Sequence, residues 1–271
     1  MDKLHFLTAG IPSNAKDYSN AFEILEQDNL DGLEVEFVHG VRYSPKTREY
    51  ILSRGNKLIT HHGPYYINLN SKEEDKKQAS IKRVLDTARA GQDLGAYSIT
   101  YHAAFYLGED SKAVTKKMID CHKIIVDTLC EENNNIWIRP ETTGKNSQWG
   151  TLGEIIELSK EFKQVLPCID FAHMHARNNG IYNTYDEFCK ILETLGNNLG
   201  DIALNNFHGH VAGIEYGLKG EKKHLIFEEA DFNYKDLLRA MKKFNIKGAL
   251  VCESPNIEID AKILKDYYTS L

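Results

Sequence analysis

Short apolar runs alternate along the chain with longer stretches whose apolar positions recur with helical period. The runs at 4–9, 32–37, 58–61, 97–101, 136–139, 166–169, 204–207 and 248–252 are too short for helices and predict eight strands. The stretches 18–27, 46–53, 72–94, 111–131, 152–162, 184–195, 234–244 and 257–268 predict helices, and in 72–94 Ile81, Val84, Leu85 and Ala88 share one face. Repeated strand–helix alternation requires parallel strands with helices outside, and closing such a sheet leaves no unpaired edge. The expected fold class is α/β, a (β/α)8 TIM barrel, as a single domain over residues 1–271, close to the usual size of about 250 residues. An open doubly wound sheet is the competitor, but no Gly-x-Gly-x-x-Gly follows the first strand. The stretch 209–233 fits neither period. With Gly213, Gly217, Gly220 and the basic Lys219, Lys222 and Lys223, it is expected to be a functional loop without regular structure.

The net charge of −6 argues against a broad basic surface, although bound divalent cations would add positive charge that the count omits. Five cysteines with no CxxC spacing argue against a disulfide framework or a thiolate zinc knuckle and fit a reducing, cytoplasmic setting. Residues 1–10 carry no signal-peptide pattern, and no apolar run approaches the roughly 18 residues of a membrane span.

Chemistry gathers where the predicted strands end. Those ends carry Glu34 and Glu36, His61 and His62, His102, Glu141, Asp170 and His173, His208 and His210, and Glu253. In a parallel barrel all of them converge on one face. Of the eleven histidines, His61, His62, His102, His173, His175, His208 and His210 lie at or just past strand ends. One such imidazole is more often a satisfied core or loop residue, but the whole set is not explained that way. Carboxylates buried together repel one another unless a cation lies between them. The donors are too many for one tetrahedral zinc and fit two or three ions sharing bridging carboxylates, an arrangement suited to phosphate ester hydrolysis.

Six segments carry a family resemblance: His62-Gly63-Pro64-Tyr65-Tyr66-Ile67-Asn68-Leu69, Tyr101-His102, Glu141-Thr142-Thr143-Gly144, Cys168-Ile169-Asp170-Phe171-Ala172-His173, the surroundings of His208, and Glu253-Ser254-Pro255-Asn256. In this order they resemble the endonuclease IV family of apurinic/apyrimidinic endonucleases, within the xylose-isomerase-like TIM barrels. The resemblance implies that His62 and His102 hold one metal, with Glu141 bridging to a second. Asp170, His208 and Glu253 would complete the second, and His173 and His224 would hold a third. Where the family has a carboxylate two residues before the last histidine, this chain has Lys222, and Glu221 is the nearest substitute.

Glu141 and Glu253 are the candidate catalytic carboxylates. Tyr65, Tyr66 and Arg42 match the family's DNA contacts, and Lys222 and Lys223 are candidate phosphate contacts. His61 and His210 are expected to support the ligands or the structure, His175 has no counterpart, and His5, His39 and His122 are expected to be non-ligands. The implied cofactor is Zn2+, two or three ions, with manganese or iron also fitting such donors.

The implied function is a DNA-repair endonuclease that cleaves 5′ to abasic sites through a metal-activated hydroxide. Its partner would be abasic DNA, with no membrane and no protein partner, and the protein would be a monomer. The alternative is a sugar isomerase or epimerase of the same superfamily with one divalent metal at Glu141, Asp170, His208 and Glu253. A barrel that kept its fold as a binding protein and lost its chemistry is a third reading, with Lys222 as its only support.

Overall fold

The computed structural model describes residues 1–271 and arranges eight parallel strands around one axis. They are β1 (Leu4–Ala9), β2 (Gly32–Glu36), β3 (Leu58–His62), β4 (Ser98–Tyr101), β5 (Trp137–Pro140), β6 (Ile169–Asp170), β7 (Phe207–Val211) and β8 (Gly248–Cys252). The sheet order is β5-β4-β3-β2-β1-β8-β7-β6. Parallel bridges from Ile138 to Val165 and from Glu141 to Cys168 bring the two ends together, so the sheet curls back on itself. The fold is an α/β TIM barrel, as expected.

Helices α1 (Tyr18–Gln27), α2 (Pro45–Leu52), α3 (Glu74–Leu94), α4 (Ser111–Glu131) and α5 (Leu152–Glu161) follow the first five strands. The start of α5 is fixed by a capping box between Thr151 and Glu154. The second half carries α6 (Phe171–Arg177), α7 (Tyr185–Leu199), α8 (Asp201–Asn205), α9 (Tyr234–Lys243) and α10 (Glu258–Ser270). The apolar core lies between strands and helices, with Phe171, Phe188, Phe207 and Leu250 in one cluster and Ile99, Met118, Ile125 and Ile138 in another. No helix is long and apolar enough to cross a membrane.

Several elements differ from the sequence expectation. Helix α6 is not among the expected helices. Its residues from Phe171 to Ala176 are all buried, so no polar face marks a helical period, and Asp170 caps it by accepting from the His173 N–H at 2.6 Å. The seventh strand is expected at 204–207, but Leu204 lies in α8 and the strand runs Phe207–Val211. Its Phe-His-Gly-His-Val sequence is weakly apolar because it builds the site. The stretch 209–233 is largely ordered, as an antiparallel hairpin of Gly213–Gly217 and Gly220–Leu225 followed by a 3-10 turn at Phe227–Glu229. Its strands are short and rich in glycine and charged residues, with Ile214 and Leu225 among the few apolar ones, which gives no alternating hydrophobic signal. A smaller ladder pairs Ala104–Phe105 with Gln148–Trp149 beside the barrel mouth.

Candidate metal centre

Glu141 leaves β5 at the mouth and is 1% exposed. Its Oε1 lies 3.1 Å from His102 Nε2 and 3.1 Å from His173 Nδ1, and its Oε2 lies 3.3 Å from His62 Nε2. The backbone orients one of these rings, since His62 Nδ1 is 2.7 Å from the Gly63 carbonyl oxygen, leaving Nε2 toward Glu141. One potential ligand group is His62, His102 and Glu141. A second is Glu141, Asp170, His210 and Glu253, with donor atoms within 4.8 Å of one another. Glu141 belongs to both groups and is placed to bridge them.

The member of the second group from β7 is His210, where the sequence reading names His208. His210 Nδ1 is 3.2 Å from Glu253 Oε1, whereas His208 lies deeper, 2.9 Å from Ser98 Oγ and 3.1 Å from Glu34 Oε2. Two residues apart on one strand, both rings face the axis, and only their depth separates them.

A third group joins Asp170, His173 and His224. Lys222 is outside it, paired with Glu215 at 3.0 Å, and Lys223 reaches the same carboxylate at 3.6 Å. Glu221 turns inward, with Oε2 3.6 Å from His173 Nε2. A β-bulge explains this: Tyr216 pairs with Glu221, but Glu215 pairs with Lys223, so Lys222 is the extra residue. Without the bulge Glu221 and His224 would face opposite sides; with it they share one.

Electrostatics follow from this crowding. Burial would raise Glu141, but His102 and His210 outweigh it and hold its carboxyl well below the usual range. The same opposition, with His210 as the partner, takes Glu253 to about 2. For Asp170 burial wins and lifts it to about 6, and for Glu36 to about 8. His62 is lowered by burial but raised more by Glu141, reaching about 10. Asp170 Oδ2, both ring nitrogens of His210 and His224 Nε2 are buried without a hydrogen-bond partner. Orphaned oxygen and imidazole donors aimed at one another fit divalent cations of intermediate hardness.

A cavity of about 500 Å³ opens above the centre, lined among others by His62, Tyr65, His102, His173, Glu221 and His224. Tyr65 is 54% exposed at its rim, its ring 5.4 Å from that of His62. Tyr66 is 51% exposed, with its hydroxyl 3.1 Å from His39 Nδ1. Arg42 is exposed in the loop between β2 and α2. His61 points away from the axis, edge-on to Phe37, and burial pushes it down to about 3. His175 contacts the Ile181 carbonyl oxygen and Asp231.

A parallel barrel with a histidine–carboxylate centre at its C-terminal mouth is the architecture of metal-dependent barrel enzymes. The chain belongs to the xylose isomerase-like TIM barrel family, whose model matches residues 22–267. An uncharacterized protein of Methanocaldococcus jannaschii is 43% identical over 273 residues, covering 99% of this chain and 98% of that one. A D-tagatose 3-epimerase-like protein superposes with a TM-score of 0.73 at 21% identity, covering 97% of each chain. Endonuclease IV from Thermus thermophilus superposes with a TM-score of 0.70 at 14% identity, covering 98% of this chain and 100% of that one. The same fold is thus shared with an endonuclease IV and with a D-tagatose 3-epimerase-like protein.

Proposed function

We propose that the protein is a metal-dependent phosphodiesterase of the endonuclease IV type, nicking DNA 5′ to abasic sites. One observation carries this reading: His62 and His102 close on Glu141 in addition to the four-residue group of Glu141, Asp170, His210 and Glu253. A one-metal isomerase needs only the four. In this reading His62, His102 and Glu141 hold one zinc ion, Glu141, Asp170, His210 and Glu253 a second, and His173, His224 and Glu221 a third. Ions bound at such a centre acidify a water molecule and offset charge on a phosphodiester. The chain does the rest. Tyr65 at the rim offers an open ring face to the gap left by a missing base. Tyr66 and Arg42 extend the contact along the strand, and Lys145 on the cavity wall, an unforeseen residue, adds a cation for phosphate.

The test is metal counting by anomalous scattering, combined with an abasic-duplex cleavage assay on the loaded protein. Two or three ions and a nick 5′ to the lesion are expected. The four-residue group and the epimerase-like neighbour favour the second reading, in which Glu141 and Glu253 exchange a proton α to a ketose carbonyl. One ion, intact DNA and ketose turnover would establish that reading and end the first.

A further inference from the structure

Beneath the candidate ligands the barrel axis carries a polar layer made of Glu34 from β2, Ser98 from β4 and His208 from β7, each 0% exposed. Ser98 Oγ is 2.9 Å from His208 Nδ1, and His208 Nε2 is 3.1 Å from Glu34 Oε2. The other oxygen, Glu34 Oε1, is 2.9 Å from His210 Nε2. Neither Nε2 and neither carboxylate oxygen has another hydrogen-bonding partner. On its far side the His210 ring presents Nδ1 to Glu253 Oε1 at 3.2 Å and to Glu141 Oε1 at 3.6 Å.

A carboxylate only accepts, so an imidazole nitrogen facing it carries the hydrogen. In a neutral ring that leaves the opposite nitrogen with its lone pair. Left to itself, His210 would favour the reverse tautomer, because its Nδ1 faces two other carboxylates. An Nδ1–H pointing at Glu141 and Glu253 cannot ligate a cation. Glu34 is the carboxylate on the other side of the ring. Its second oxygen is tied through His208 to Ser98, which fixes the carboxylate.

We propose that Glu34 is a positioning residue of the metal centre, holding His210 in the tautomer whose Nδ1 is free to bind a divalent cation. The inference rests on the reading that Glu141, Asp170, His210 and Glu253 hold such an ion. It does not depend on whether the substrate is DNA or a sugar.

The experiment is a Zn2+ and Co2+ titration of the full chain and of Glu34→Gln. The amide keeps the shape of the carboxylate but presents an NH2 to one ring, so it can serve only one of the two imidazoles as acceptor. We expect one ion to bind about 10–100-fold more weakly while the count at saturation is unchanged. Equal affinity overturns the inference, and so does one ion fewer at saturation, which would make Glu34 itself a ligand. Long-range 15N–1H NMR of the zinc-loaded wild type tests the same point if the variant fails to fold. A proton on His210 Nε2 and the ion on Nδ1 support the inference, and the reverse overturns it. A wild type holding a single ion would end the nuclease reading and leave the role of Glu34 standing. An unaffected Glu34→Gln would do the opposite. A wild type that binds no ion ends both.

Discussion

Glu221 and Lys222 are neighbours whose roles are exchanged by one β-bulge, with the carboxylate turned to His173 and the ammonium to Glu215. Glu221→Gln should weaken the third ion by at least the 10–100-fold typical of losing even a supporting partner, whereas Lys222→Ala should leave every ion in place. Competition with a graded chelator distinguishes the two, and a larger effect from Lys222 would refute the assignment. The ring nitrogens give a second prediction. In the ion-free protein His62 is lowered by burial but raised more by Glu141, to about 10, and His173 and His210 are likewise raised well above their usual value. Rings raised in this way hold their protons more tightly in the ion-free protein, and a ligand must be deprotonated, so zinc loading should release protons. Calorimetric enthalpies in buffers of different ionisation enthalpy measure the release, and a flat plot would contradict it. Strand-end position brought His62, His102, Glu141, Asp170, His173 and Glu253 into the candidate set from the sequence, whereas His224 entered it only through the family resemblance. The choice between His208 and His210 was not legible, because alternation fixes the face of a strand but not the depth at which each side chain meets the axis.

The hairpin that delivers Glu221 and His224 is itself held by close backbone approach. Lys145 pairs with Gly220, the Glu221 N–H donates to the Gly144 carbonyl oxygen at 2.9 Å, and Gly220 has φ +91°. A Cβ at Gly220 would run into the Gly144 carbonyl oxygen, and the backbone angle would be strained besides. Gly220→Ala should therefore cost about 1–3 kcal/mol and loosen the hairpin. The third ion should weaken while the ions at Glu141 keep their affinity. Thermal melting and metal titration read the two effects separately, and uniform weakening of all ions would argue that the hairpin is not an independent part of the site. Arg177 at the end of α6 braces the same region, donating to the carbonyl oxygens of Lys145 and Gln148 at 2.8 and 2.9 Å. The barrel itself was legible because short segments rich in apolar residues, largely buried, alternate with longer stretches of helical period. The hairpin and α6 were not. One has two short strands of mostly polar and glycine residues, few of them buried, and the other is buried almost all round, so neither shows the amphipathic period on which sequence reading depends.

Across the whole molecule, chemistry and stability sit at opposite ends of the barrel. At the end away from the centre, Asp31 stands just before β2 and joins the chain's first strand to its last helix. Its carboxylate accepts from the Phe6 N–H at 2.9 Å, from Lys3 at 2.9 Å and from Lys265 at 3.0 Å. Burial would raise this carboxyl, but the Phe6 N–H and the two lysines outweigh it and lower it below 3.8. A group depressed in the folded state stabilises fully above its unfolded pKa and loses that contribution as the pH falls through its folded pKa. Asp31→Asn keeps the shape but leaves Lys265 near the barrel floor without its carboxylate, which should cost about 1.5–3 kcal/mol at pH 7. The melting temperature should fall by several degrees, and the gap from wild type should narrow as the pH drops below 3.8. Metal count and affinity should not change, because no candidate ligand touches Asp31. A gap that stayed constant down to acid unfolding would show that the ion pairs contribute nothing. A change in metal affinity would show that the two ends of the barrel are coupled through the polar layer of Glu34 and His208.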